Sequence, residues 1–345
     1  YRTVINEVPD FVYRPNVDDT LEFMVKKVKE KRVEIACREF LENEVPALFN
    51  DLNGEDFLET LGVRIEEIKR NNLYNTRVGV DVLKDNEIYL NEYNSRKDGK
   101  SKKKWNSKFQ TINREIGGYM GGNIYVWVAR SGRGKSIFTM EEAIEAAFQG
   151  ATVLVWALEI NAYEWMSRAY ATISARKALY VEQLNGSKLK TGFPARDLMF
   201  GKLAQNKEKA FEEFLQELNT YIKGNIILRA VDHDDFYKRG CPQLEADILQ
   251  TKADVVVIDP IYYMDMEQNV GKTAGGDVAR TSVKLRHIAG YTGAVLHVIT
   301  QAEEVRDDKD ADGNRQLRLP VRAEIKKSKA ILEDSANTFF IDSLD

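Results

Sequence analysis

Hydrophobic and polar positions along the chain follow two periods, and the change between them divides it near residue 105. From Asp18 onward, LEFMVKKVKEKRVEIACREFLENEVPALF sets Leu21, Met24, Val25, Val28, Val33, Ala36 and Phe40 at repeated helical steps. After the turn signal Asn53-Gly54, EDFLETLGVRIEEIKR continues the helical period, and a third helical stretch is expected over 80–94. Residues 1–17, with Pro9 and Pro15, read as an irregular lead-in. A small α-helical region without strands is therefore expected first.

From Trp105 onward, strand-length apolar runs alternate with helical periods. Strands are expected at 124–128, 151–158, 225–231, 254–260, 294–301 and 337–342, with helices over 137–148, 161–181, 202–222, 244–250 and 277–289. Alternation of this kind predicts an α/β domain, a mostly parallel sheet flanked by helices. The longest apolar runs, such as 255–258, are far too short to span a membrane. The expected organisation is a partial helical N-terminal region (1–75), a linker with a helix and a basic segment (76–104), and the α/β domain (105–345).

Composition changes this picture little. Of 345 residues, 43% are hydrophobic and 30% charged, enough for a large core and a water-compatible surface. The net charge of −4 means that any nucleic-acid contact must come from a local basic surface. SRKDGKSKKKW (95–105) is one such stretch; a solvated linker and a phosphate-binding tether both fit it. Cys37 and Cys241 have no metal-type spacing, which suggests a reducing compartment. The chain begins at Tyr1 without a signal-peptide pattern and reads as an excerpt of something longer.

The chemistry centres on IYVWVARSGRGKS (124–136). A buried strand runs into Ala129, Arg130, Ser131, Gly132, Arg133, Gly134, Lys135 and Ser136, and the helical period IFTMEEAIEAAF follows. Strand, glycine-bearing loop, Gly-Lys-Ser and helix is the order of a P-loop, whose backbone amides and helix N-terminus cradle phosphates. Lys135 supplies a point charge to the phosphates, and the Ser136 hydroxyl is placed to ligate Mg²⁺. Ala129 stands where the consensus has its first glycine. The order of the flanking elements outweighs a chance Gly-Lys-Ser, and a nucleoside triphosphate site is expected.

Three further polar residues end apolar strands. Asp259 closes VVVID, the place of a Mg²⁺-linked carboxylate in P-loop enzymes. Glu159 follows ATVLVWAL, where a carboxylate can orient and deprotonate water, although a plain solvent-facing strand end fits the spacing equally well. Gln301 ends AVLHVITQ, where an amide can sense the γ-phosphate. Parallel α/β sheets bind ligands at this rim. His287 and His297 lie in apolar patterns and read as structural, while His233 is a loop residue beside acids.

These residues resemble a known family. FQTINREIGGYMGGNIYVWVARSGRGKS (109–136) is similar to the segment entering the P-loop of DnaB-type replicative helicases, which are RecA-like ATPases and often carry Ala-Arg at this position. LVWALEINAYEWMSR (154–168) is similar to the strand bearing the family's catalytic glutamate, here Glu159. VVVIDPIYYM (255–264) resembles its Mg²⁺-linked strand, with Pro260 unusual, and TSVKLRHIAGYTGAVLHVITQ (281–301) resembles the segment ending in its sensor glutamine, Gln301. VRAEIKKSKAILEDSAN (321–337) looks like the Asp-Leu-Arg-Glu-Ser-Gly DNA loop, with Lys326 at the Arg, Lys329 at the Gly and Lys327 between them.

The resemblance covers about 105–342. It implies ATP and Mg²⁺ as cofactors, catalysis by Glu159, Lys135 and Gln301, and a metal held by Ser136 and Asp259. It further implies a homo-hexameric ring that moves 5′ to 3′ on single-stranded DNA through Lys326, Lys327 and Lys329. Primase and a helicase loader are its implied partners, in the cytoplasm of a bacterium or a phage-infected host. The family's arginine finger lies beyond the last strand and has no counterpart among these residues. Two alternatives remain open: a RecA- or KaiC-like ATPase of recombination or signalling, and a helicase-derived assembly or loader factor that does not unwind.

Overall fold

In the computed structural model, the described residues are 21–73, 79–101, 103–184, 187–268, 276–304, 316–325 and 329–343. The lead-in 1–17, most of 303–318, and Lys326 and Lys327 lie outside them. The chain divides into two units, Tyr1–Asn91 and Glu92–Asp345.

In the first unit, helix α1 (Leu21–Glu39) passes through a π-helical turn (Phe40–Glu44) into α2 (Val45–Asp51). Pro46 lacks an N–H and sits in the first turn of α2, where that donor is not needed, so the ladder changes register just before it. Asn53 does more than mark a turn: its side-chain oxygen accepts from Asp56 N at 3.0 Å and caps α3 (Gly54–Leu73). Phe40 is buried, Phe49 meets Phe57 edge-on, and Arg64 Nε donates to Glu44 at 2.9 Å. The third helix, α4 (Asn86–Lys97), begins later than the apolar pattern suggests. The Asp81 carboxylate accepts from Leu83 N at 3.1 Å, a local turn that competes with helix formation.

The second unit opens with a short antiparallel pair, β1 (Lys104–Trp105) and β2 (Tyr119–Met120), around α5 (Gln110–Ile116). Gly118 is required there: its φ is +96°, and a Cβ would lie 2.7 Å from the Trp105 carbonyl. The chain continues as β3 (Ile124–Ala129), α6 (Lys135–Gln149), β4 (Thr152–Ala157) and α7 (Ala162–Arg176). Next come β5 (Tyr180–Leu184), β6 (Ser187–Thr191), α8 (Ala195–Phe200), α9 (Gln205–Gln216), α10 (Leu218–Tyr221) and β7 (Asn225–Ala230). The unit ends with α11 (Cys241–Thr251), β8 (Val255–Asp259), α12 (Gly276–Thr292), β9 (Val295–Gln301), α13 (Lys329–Glu333) and β10 (Asn337–Ile341).

Six strands form one parallel sheet in the order β10-β3-β9-β8-β4-β7. Both parities of its central strands are apolar, so both faces are covered. Tyr125, Trp127, Val155 and Val257 pack with Ala143 and Ile144 of α6, Trp165 of α7 and Phe214 of α9. Val126, Val128, Trp156 and Ile258 pack on the other face with Leu244 of α11, Leu285 of α12 and Ile331 of α13. Two buried indoles have polar partners: Trp127 Nε1 donates to His297 Nδ1 at 3.1 Å, and Trp156 Nε1 to Asp247 at 3.0 Å. His297 is structural; burial pushes its pKa down to about 3, which keeps the ring neutral.

Two expectations need correction. The helix expected over 161–181 ends at Arg176, because Ala178 takes a left-handed φ of +53°, and the chain then makes the antiparallel β5–β6 hairpin. The single helix expected over 202–222 is two, broken at Glu217, where ψ is 2° rather than helical.

Candidate active site

The parallel sheet turns four separate sequence segments into one rim. Ala129, the last residue of β3, pairs with Gln301, the last of β9, and Ala157 of β4 pairs with Asp259, the last of β8. Glu159 lies just past β4, where Leu158 N extends the ladder by donating to the Asp259 carbonyl at 2.8 Å. The rim therefore collects the P-loop, Gln301, Asp259 and Glu159 in the spatial order of their strands. β9 and β8 lie between the P-loop strand and the strand that carries Glu159.

Beyond Ala129 the loop turns through Gly132 and Gly134, both at positive φ (+69° and +84°). Gly134 is the N-cap of α6, and no side chain caps that helix. Its first amides and the positive end of its dipole therefore face the loop, an arrangement that favours an anion. Lys135 and Ser136 open the helix, and the Lys135 side chain is buried.

Asp259 is buried, and burial pushes its pKa up to about 6, with the Glu159 carboxylate adding to the rise. A hydrogen bond from Ser136 and the nearby charges of Lys135 and Arg168 act in the opposite direction. Asp259 Oδ1 is buried without a hydrogen-bond partner. A buried carboxylate oxygen left without a donor is costly unless something else satisfies it. Beside the Ser136 hydroxyl, it fits a hard divalent cation that takes few protein oxygens and completes its shell with water and phosphate. Among the described residues no group of three or more His, Cys, Asp and Glu could hold a metal by itself, the surroundings of His233 included.

The two arginines of the P-loop are held from outside it. Arg130 is buried; its guanidinium donates to the Arg318 carbonyl at 2.6 Å and to Glu324 at 2.7 Å. Arg133 lies 3.8 Å from Asp342 at the end of β10. Ser131 N donates to Glu304 at 2.9 Å. These contacts fasten the loop to 304–343 and leave the rest of its backbone as the phosphate-facing part. Lys329 is exposed at the start of α13.

Two site residues escaped the sequence reading. Arg168 lies on α7 one turn beyond Glu164, its ion-pair partner, and its charge reaches Asp259. The signal was the helical step back toward the strand end. Tyr262 lies in the 3₁₀ turn Ile261–Tyr263, and its hydroxyl donates to Gln301 Oε1 at 3.2 Å. Nothing in VVVIDPIYYM separates Tyr262 from Tyr263.

Comparison with known proteins agrees with this geometry. The profile of the DnaB-like helicase C terminal domain matches residues 105–343. No curated protein matches the chain. Among solved structures, the ATPase domain of a phage helicase is similar at a TM-score of 0.54 and 15% identity, over 74% of this chain and 82% of that one. A DnaB-like replicative helicase, described with its interactions with primase, is similar at a TM-score of 0.54 and 14% identity. That similarity covers 91% of this chain and 65% of the helicase. With the fold, the rim and the profile in agreement, the chain belongs to the DnaB-like helicase C-terminal domain family of RecA-like ATPases.

Proposed function

We propose that the chain is the motor of a replicative DNA helicase, which hydrolyses Mg-ATP to move along single-stranded DNA and separate the duplex. The observation that carries this reading is the contact of Ser136 with a buried Asp259 whose Oδ1 has no partner, at the mouth of a P-loop. The α6 N-terminus and Lys135 bind the β- and γ-phosphates, and Ser136 and Asp259 hold Mg²⁺. Bound there, Mg²⁺ neutralises charge on the β- and γ-oxygens. Glu159 orients the attacking water and accepts its proton at a carboxylate oxygen, while the Gln301 amide reads the γ-phosphate. Residues 105–345 form this motor, 1–75 a partial helical region and 76–104 the linker.

Lys326, Lys327 and Lys329 supply the DNA contact. The working form is a homo-hexameric ring with 5′ to 3′ movement, in the cytoplasm of a bacterial or phage-infected cell, served by a primase and a loader. No helix among the described residues is long and apolar enough to cross a membrane. The test is strand displacement on a forked duplex. ATP should support unwinding, whereas a non-hydrolysable analogue and Lys135→Ala should not. Hydrolysis without unwinding would favour a recombination-type ATPase, and ring assembly without turnover a loader factor.

A further inference from the structure

Gln301 can serve a phosphate with only one end of its side chain. A phosphate oxygen accepts hydrogen bonds, so the amide must present its NH₂ group; the carbonyl end would repel it. The two orientations of a glutamine amide occupy almost the same volume, so packing alone does not choose between them. Something must hold the Oε1 end.

The turn that follows β8 supplies that hold. Ile261 is completely buried and anchors the turn. The turn closes through Tyr263 N to the Pro260 carbonyl at 3.3 Å and Met264 N to the Ile261 carbonyl at 3.0 Å. β8 and β9 are neighbours in the sheet, so the turn carries Tyr262 across to the end of β9. There its hydroxyl donates to Gln301 Oε1 at 3.2 Å. Gln301 pairs in turn with Ala129, where the P-loop begins.

We infer that Tyr262 is a positioning residue, whose hydroxyl takes the oxygen end of Gln301 and so turns its NH₂ donors toward the γ-phosphate. This inference rests on the nucleotide site proposed above. Burial and the nearby Glu159 and Asp259 carboxylates raise the Tyr262 pKa, so the hydroxyl keeps its proton at working pH. Tyr262 acts through the amide and not on the nucleotide itself. Its value is orientation: one hydrogen bond of ordinary strength biases two otherwise similar amide poses by about 5-fold.

The experiment is a double-mutant cycle on the full chain, with Tyr262→Phe, Gln301→Ala and the pair, and Lys135→Ala as the reference for the site itself. Phenylalanine keeps the ring and removes only the hydroxyl. Tyr262→Phe should lower the rate of single-turnover ATP hydrolysis about 5-fold. It should also narrow the preference for an ATP analogue over ADP, while ADP affinity and thermal unfolding stay unchanged. In the Gln301→Ala background it should have no further effect, because the amide it orients is gone. An equal loss in both backgrounds overturns the inference, as does a wild-type rate in Tyr262→Phe when Gln301→Ala is slow. Undiminished hydrolysis by Lys135→Ala would instead overturn the site assignment beneath it, and the inference with it.

Discussion

Arg130 and Glu324 form a buried ion pair, 2.7 Å between guanidinium nitrogen and carboxylate oxygen, with side chains 2% and 12% exposed. Arg130 belongs to the P-loop, and Glu324 stands just before the lysine cluster at 326–329. Glu324 also accepts from Arg318 at 2.9 Å, and Glu303 N donates to the Glu324 carbonyl at 2.6 Å. The loop that faces nucleotide and the segment leading to the lysines thus share one charged joint.

Breaking that joint leaves the Arg130 charge buried without its partner. Glu324→Ala should cost about 3–5 kcal/mol of stability, the range for removing one member of a buried pair. The midpoint of chemical denaturation, with unchanged slope, measures it. Replacing both Arg130 and Glu324 by apolar residues should cost less than Glu324→Ala alone, since no buried charge is then stranded.

Lys135→Ala and Glu159→Gln should fail differently. The first removes a charge that acts on bound phosphates and should weaken nucleotide binding by roughly tenfold or more. The second keeps the binding surface and should slow turnover about 10²–10⁴-fold at nearly unchanged affinity. Equilibrium binding of a labelled analogue beside single-turnover hydrolysis separates the two roles. Equal affinity losses would remove Glu159 from the part assigned to it.

Stability should fall with rising pH near neutrality through Glu142. This α6 residue is buried, and burial pushes its pKa up to about 7 despite hydrogen bonds from the Ser107 hydroxyl (2.6 Å), Lys108 N (3.1 Å) and Tyr119. A carboxyl whose folded pKa exceeds its unfolded value holds its proton more tightly when folded. Its contribution is therefore fully present below about pH 4.5 and is lost as pH rises through about 7. Urea midpoints of the wild type relative to Glu142→Gln should decline between those values. A flat difference would show that Glu142 titrates normally.

Lys326 should bind DNA through its phosphates. Backbone contact is indifferent to base sequence and weakens with salt, with a log–log slope of about −0.7 per phosphate neutralised on single strands. Lys326→Ala should lower single-stranded DNA affinity equally across sequences and flatten that slope, with ATP binding intact. Fluorescence anisotropy over a salt series, with a non-hydrolysable analogue present, measures both. An unchanged slope would make Lys326 an ordinary solvated lysine.

The chain's local order was legible in its residues because that order is written in nearest neighbours. Apolar runs such as VVVID and ATVLVWAL gave strands, and the Gly-Lys-Ser turn between Val128 and Ile137 gave a loop that turns through glycines at positive φ. Both parities of those runs are apolar, which already called for a parallel sheet with two covered faces. The end of α7 was less legible: Ala178 has no propensity for the left-handed turn it adopts, and tertiary context overrode the pattern.

What only the tertiary structure decided is which strand ends meet. The order β3-β9-β8-β4 sets Gln301 beside Ala129 and Asp259 beside Ala157, although each pair is separated by more than a hundred residues. Strand pairing is chosen by packing of both sheet faces, and no local window of sequence contains that information. For the same reason Tyr262 and Arg130 read as ordinary residues in the chain. A hydrogen bond to Gln301 and a buried pair with Glu324 exist only after the sheet has brought those partners within reach.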